Sequence, residues 1–207
     1  MERPDGNVTR ARLATVVART ACFCRARHLM LPAMPKPADN DSLDEKPSID
    51  LTSDDYFMGE ALRQARKAFE IEEVPIGCVI ARDGHVIARA YNQVEMLKDA
   101  TAHAEMLAIT QAEAAVGDWR LNDCILYVTK EPCPMCAGAI VHARLGRVVY
   151  GVRDEKGGGA GSLFNIVQHE SLNHRAEVLG GVRGGECLAL LQEFFKLQRA
   201  RKPEAKG

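Results

Sequence analysis

Three side chains able to grip a borderline metal, and one carboxylate free to work beside it, occupy two short runs of this chain. The first run is His103-Ala104-Glu105; the second is Pro132-Cys133-Pro134-Met135-Cys136. Cys133 and Cys136 lie three apart, so on a helix they project from neighbouring positions of one face. Pro132 suits the first turn of such a helix, where its missing N–H costs little. The free amides and dipole at that end favour thiolate over thiol. His103 adds a neutral imidazole nitrogen, which completes an N/S/S set suited to Zn²⁺. Three protein ligands leave a fourth tetrahedral position to water, whose pKa zinc lowers from 15.7 toward roughly 7. Glu105 then takes that water's proton, passes it to a ring nitrogen and protonates a departing amine. Hydrolytic deamination of a nucleobase needs that proton traffic.

One geometric tension accompanies this reading. Residues two apart on a regular helix point about 200° apart at 3.6 residues per turn. His103 and Glu105 must therefore reach one cavity from a helix entrance rather than from a continuous stripe. Taken singly the runs are ambiguous: C-x-x-C also fits structural zinc or a redox pair, and H-x-E is ordinary on helix surfaces. Joined through Pro132, at a helix-plus-strand separation, they make the H-x-E…P-C-x-x-C pattern of zinc-dependent deaminases. A structural zinc site requires a fourth ligand. The nearest candidates are Cys124, which heads an apolar strand-like run and reads as core, and His142, which falls near a helix end and reads as partly exposed.

The remaining chain must position these runs. At 207 residues, with 46% apolar and 27% charged content, it can bury one good-sized core with an appendage. No apolar run approaches the roughly 20 residues that span a bilayer. Seven cysteines, two assigned to metal, argue against a disulfide framework and for a reducing, cytoplasmic compartment.

The first fifty residues differ from the remainder. Asn7 to Ala38 carry five Arg and one Lys but no acid, and Asp39 to Asp55 carry seven acids and one Lys. Pro32, Pro35, Pro37 and Pro47 break any regular element there. Residues 1–52 are therefore expected to be an extension without packing, ahead of a folded domain over 53–207. A transit peptide, a disordered basic arm and sequence upstream of the true start all fit its composition. Cys22 and Cys24 are one residue too close for the usual metal clasp and receive no role.

Asp54 and Asp55 suit the positive end of a helix, and Phe57, Ala61, Ala65, Ala68 and Phe69 repeat at helical spacing. Strand-like runs follow at Gly77 to Arg82 and His85 to Tyr91, with Asp83-Gly84 between them as a type I′ hairpin signal. After a polar loop, Thr101 is the expected cap of a helix from Ala102 to about Val116. A strand from Cys124 to Thr129 leads into the cysteine helix, which Gly146 is expected to end. Another strand covers Arg147 to Tyr150. A glycine-rich loop, a short helix around Leu163 to His169, a last strand near Glu177 to Val182 and an amphipathic helix bearing Leu188, Leu191, Phe194, Phe195 and Gln198 complete the chain. A hairpin followed by alternating helices and strands implies an α/β sandwich with helices on both faces of a mixed sheet. Both halves of the metal motif fall where a helix begins, outside the carboxyl ends of strands.

Thr101-Ala102-His103-Ala104-Glu105, the segment from Glu131 to Ile140, Arg153-Asp154-Glu155-Lys156 with Gly161-Ser162, Asn173-His174-Arg175 and Glu193-Phe194-Phe195 together resemble the bacterial tRNA-specific adenosine deaminases. The similarity runs from about Asp54 to Arg201. It implies a three-layer α/β/α sandwich of the cytidine-deaminase type with a central five-stranded sheet opened by a hairpin. It also implies one Zn²⁺ per subunit held by His103, Cys133 and Cys136, catalysis by Glu105, and a homodimer. The implied reaction converts adenosine to inosine at the wobble position of a tRNA anticodon stem-loop. By the same resemblance Asn92 hydrogen-bonds the flipped purine and the Ala104 backbone lines its pocket. Asp154 and Lys156 then lie near the anticodon loop, and Phe194 and Phe195 fall in the helix flanking the RNA channel, although their spacing also reads as core.

Three positions depart from that family's pattern: Lys130 replaces an apolar residue, Ala100 a proline and Cys78 an alanine. None is a ligand; Lys130 is placed to change local packing or RNA contact. A net charge of −1 is not that of a general nucleic-acid binder. A shaped pocket with a local basic rim still reads splayed loop bases one at a time. Candidates for the rim are Arg144, Arg147, Arg153, Lys156, Arg175, Lys196, Arg199, Arg201 and Lys202. Two other readings stay open: a small-molecule deaminase of the same fold acting on cytosine, guanine or cytidine, and a zinc-stabilised binding module without catalysis.

Overall fold

The structure is a computed structural model that describes residues 50–201. The expected extension over residues 1–52 therefore lies, up to residue 49, outside the described residues.

Helix α1 (Asp54–Glu70) starts at Ser53, whose hydroxyl accepts from the Tyr56 N–H at 3.2 Å. Asp54 and Asp55 occupy its positive end. Strands β1 (Gly77–Arg82) and β2 (His85–Tyr91) form the expected hairpin. Asp83 and Gly84 carry φ of 51° and 76°, the paired positive values that a type I′ turn requires. Helix α2 (Val94–Leu97) is a single turn within the segment read as polar loop. Then come α3 (Ala104–Val116), β3 (Cys124–Lys130), α4 (Pro134–His142), β4 (Arg147–Val152), β5 (Glu177–Gly180) and α5 (Gly184–Arg201).

The helices differ from expectation in four respects. Helix α3 starts two residues after Ala102, because His103 rather than Thr101 takes the extended capping position. Pro134, not Pro132, is the proline in the first turn of α4. That helix closes at His142, and Gly146 instead donates its N–H to the Cys124 carbonyl beside the sheet. The helix expected around Leu163 to His169 does not form. Its amides are spent on a looped hairpin: Phe164 N–H reaches Gly158 O, and Ile166 N–H reaches Gly159 O.

The sheet runs β2-β1-β3-β4-β5, with β1 antiparallel to both neighbours and β3, β4 and β5 mutually parallel. Period-two alternation sends buried side chains to both faces. Ile80, Leu126, Val128 and Val148 pack under α3 and α4, whereas Val79, Ala81, Tyr127 and Val149 pack under α1. Cys187 of α5 joins that second layer. The result is the three-layer α/β/α sandwich that the resemblance implies.

Register decides where the chemistry gathers. Gly77 pairs with Tyr91, Cys78 with Val128, and Lys130 with Val152, so the ends of β2, β3 and β4 and the start of β1 share one edge. Asn92 follows β2 there and Cys133 follows β3. The Gln93 N–H donates to the Ala102 carbonyl at 3.0 Å, which ties the segment after Asn92 to the residue before His103.

Candidate active site

His103 and Cys133 occupy equivalent places, each the residue preceding a helix and each extended: φ −71°, ψ 152° at His103 and φ −69°, ψ 170° at Cys133. This resolves the geometric tension of the H-x-E run. His103 stands outside α3 while Glu105 stands in its first turn, so the 100° step of the helix never separates them. Cys136, fully buried in the first turn of α4, completes the trio.

His103 Nδ1 lies 3.6 Å from Cys133 Sγ and 3.5 Å from Cys136 Sγ, and the two sulfurs are 3.6 Å apart. A tetrahedral zinc with ordinary bond lengths has N–S edges of about 3.6 Å and S–S edges of about 3.8 Å. The three donors thus fit one face of such a tetrahedron. Among the described residues no other His, Cys, Asp or Glu joins this group. Cys124 is buried at the far end of β3 and His142 is exposed at the end of α4, so neither supplies a fourth ligand.

The thiols differ in proton affinity. Cys133 falls to about 4, because the Cys136 thiol donates to it and His103 lies beside it. Cys136 rises, as the donor of that bond and through burial next to Glu105. His103 is raised, chiefly by its contact with Cys133. Glu105 is 4% exposed, and burial pushes its carboxyl above the usual range against the pull of its own amide and His103. An anionic sulfur and a proton-seeking carboxyl therefore stand together at two converging helix N-termini.

Asn92 is buried at the end of β2; its Nδ2 donates to Glu73 Oε2 at 3.0 Å. Ala104 is buried as the first residue of α3. Asp154, in the loop after β4, accepts from Lys130 Nζ at 2.7 Å and from the Lys156 N–H at 3.1 Å. The Lys156 side chain is exposed. Lys130 therefore acts on charge at this edge, and its ammonium is near enough to His103 to lower that ring's basicity.

Two rim candidates are reassigned. Arg147 pairs with Ile125 at the opposite edge of the sheet and is bonded to Asp54 and Glu177, so it does not border the metal trio. Arg201 is paired with Glu72. Of the two phenylalanines, Phe194 is buried against Phe69, as the spacing predicts, and Phe195 is 44% exposed.

Sequence reading passed over two buried carboxylates. Glu131, beside the P-C-x-x-C run, accepts from the amides of Asp154 (2.9 Å), Ala160 (3.1 Å) and Ser162 (2.9 Å) and from the Ser162 hydroxyl. It pins the glycine-rich loop to the start of the cysteine segment. Gly158 makes this possible, since a methyl group there would overlap the Glu131 carboxyl. Glu73, in the turn after α1, bonds Asn92 and the Met96 amide. Its neighbourhood carries no motif.

A family model described as MafB19-like deaminase matches residues 52–199. The tRNA-specific adenosine deaminase of Bacillus subtilis (strain 168) is 49% identical over 156 residues, covering 75% of this chain and 97% of its own length. That of Aquifex aeolicus (strain VF5) is 47% identical over 145 residues, 70% of this chain and 95% of its own. A solved structure from work on A-to-I editing by tRNA:A34 deaminases at the wobble position of transfer RNA superposes with a TM-score of 0.64 at 45% identity. It covers 66% of this chain and 99% of that one. A guanine deaminase from Nitrosomonas europaea, 24% identical with a TM-score of 0.61 over 69% of this chain and 85% of its own, shares the fold.

Proposed function

Because the chain belongs to the tRNA-specific adenosine deaminases, within the MafB19-like deaminases, we propose that it deaminates adenosine to inosine at the wobble position of tRNA anticodons. The reaction consumes water and releases ammonia. The observation that carries the reading is the trio His103, Cys133 and Cys136 with the buried Glu105 beside it.

His103, Cys133 and Cys136 would hold one Zn²⁺, and their spacing and donor types fit it. Bound zinc supplies Lewis acidity and lowers the pKa of water toward roughly 7. Glu105 accepts the proton of the attacking water and delivers it to purine N1, then takes the proton of the new C6 hydroxyl and passes it to the departing amine. Its raised proton affinity suits that two-way task, because a carboxylate of ordinary acidity is a weak base that holds a proton poorly at neutral pH. Asn92 and the backbone at Ala104 hold the extruded base, which must leave its stack to reach them.

A groove of about 760 Å³ between residues 71–74, α2 and the end of α5 is lined by Met96, Phe195 and Arg199 among others. Its mixture of aromatic, thioether and guanidinium groups suits unstacked anticodon bases. Asp154 and Lys156 border the RNA on the other side. A homodimer is part of this reading, and a shallow cavity lined by Met106 and Trp119 lies on the outer face of α3 and α4. No described helix is long and apolar enough to cross a membrane; a tRNA substrate supports a cytoplasmic enzyme.

Incubation of zinc-loaded protein with an anticodon stem-loop bearing wobble adenosine tests the reading. Inosine is the expected product. Turnover confined to free guanine, cytosine or cytidine would overturn it in favour of a small-molecule deaminase.

A further inference from the structure

Glu73 is 1% exposed, yet among the described residues no Lys, Arg or His lies within ion-pairing distance of it. An enclosed carboxylate without a cation is costly, and an apolar side chain in its place would not be. Its two oxygens have one donor each: Oε2 takes Asn92 Nδ2 at 3.0 Å, and Oε1 takes the Met96 amide at 2.7 Å. We infer that Glu73 is a positioning residue that dictates which end of the Asn92 amide faces the substrate.

The reasoning is stereochemical. Both Glu73 oxygens serve as acceptors, Oε1 for the Met96 amide and Oε2 for Asn92 Nδ2. The Asn92 amide must therefore turn its NH₂ toward Glu73, and the reversed rotamer would set oxygen against oxygen in a buried place. Oδ1 and one remaining N–H of Asn92 are left for the base. The Asn92 backbone is fixed as well, its N–H donating to the Ile76 carbonyl at 3.0 Å, so the side-chain rotamer is the freedom Glu73 removes. The bond to Met96 holds α2, and through the Gln93–Ala102 bond the same segment reaches the residue before His103. One carboxylate thus couples the orientation of the base contact to the metal-bearing turn.

The inference rests on the reading that Asn92 touches the purine, and a double-mutant cycle separates the two. Kinetics of E73Q, N92A and E73Q/N92A are measured on the wobble-adenosine stem-loop, with zinc content and thermal midpoint recorded. N92A is expected to raise KM about tenfold or more, and E73Q to raise it about fivefold with kcat within about twofold. The double variant should be no worse than N92A. Losses that multiply, or an unchanged KM in E73Q, overturn the role of Glu73. A wild-type KM in N92A removes the reading beneath it. Should E73Q not fold, E73Q/N92D restores one hydrogen bond with donor and acceptor exchanged. Recovered stability with KM still raised supports positioning; KM recovered together with stability reduces Glu73 to a structural part.

Discussion

Lys130 and Asp154 form an ion pair, Nζ to Oδ2 at 2.7 Å, where β3 and β4 end beside the metal trio. Lys130 occupies a position that is apolar in the family pattern, so this chain neutralises the Asp154 carboxylate at this edge of the sheet. Lys130→Met is expected to raise KM for the stem-loop about threefold to tenfold while leaving kcat nearly unchanged. The slope of log KM against log salt should shrink by about one unit. A titration of activity against KCl checks both, and an unaltered slope would show that the ammonium plays no part in binding.

Glu105 lies outside the donor group, so its removal spares the metal. Glu105→Ala should lower kcat by about 10²- to 10⁴-fold with zinc stoichiometry intact. Loss of zinc in that variant would instead mark the site as structural.

Cys133→Ser and Cys136→Ser each leave two donors where three converge. Both should lose zinc and turnover. Chelation of the wild type should abolish activity reversibly and lower the thermal midpoint by several degrees, because metal bound to the folded state stabilises it. Elemental analysis beside calorimetry reads both outcomes.

Asp54 joins the start of α1 to the start of β4 through Arg147, with bonds of 2.8 and 2.9 Å. Burial alone would raise the Asp54 carboxyl, but the Arg147 guanidinium and the Tyr127 hydroxyl outweigh it and hold the group below its usual range. A depressed folded-state pKa contributes stability above the unfolded value and loses it as pH falls through the folded one. Asp54→Asn should therefore cost about 1–3 kcal/mol at neutral pH and progressively less in acid, with kcat unchanged. Urea unfolding at pH 7 and pH 3 provides the comparison; an equal cost at both would exclude the ion pair as the cause.

Gly158→Ala drives a methyl group into the Glu131 carboxyl. The loop carrying Asp154 and Lys156 must then shift, and kcat/KM on the stem-loop should fall about tenfold or more with zinc retained. Proteolytic nicking within residues 157–164 should quicken in parallel.

The metal trio was legible because each donor lies in a contiguous motif whose spacing encodes its geometry. The strands were nearly as readable: Asp83-Gly84 sets the hairpin, and short apolar runs mark β1, β3 and β4, which the structure buries almost throughout. Helix entrances were less so. Thr101 and Pro132 both carry the right chemistry for a first turn, yet tertiary bonds such as Gln93 to Ala102 carry the chain two residues further before it coils. The apolar spacing of Leu163, Ile166 and Val167 resembles a helix, but Glu131 draws the preceding amides of Ala160 and Ser162 into a loop that no helix can follow. Glu73 and Asn92 are 19 residues apart with no periodic relation, so their bond becomes visible only when β2 returns alongside β1.

His103 and Cys133 sit one step ahead of α3 and α4 rather than on them. Drift in those helices, whether a swapped apolar contact or a small rotation about the axis, displaces side chains along each helix and leaves these two residues in the extended backbone that precedes it. Cys136 alone, in the first turn of α4, ties the trio to the roll of a helix, so outer surface can be exchanged wherever that one turn is held in place.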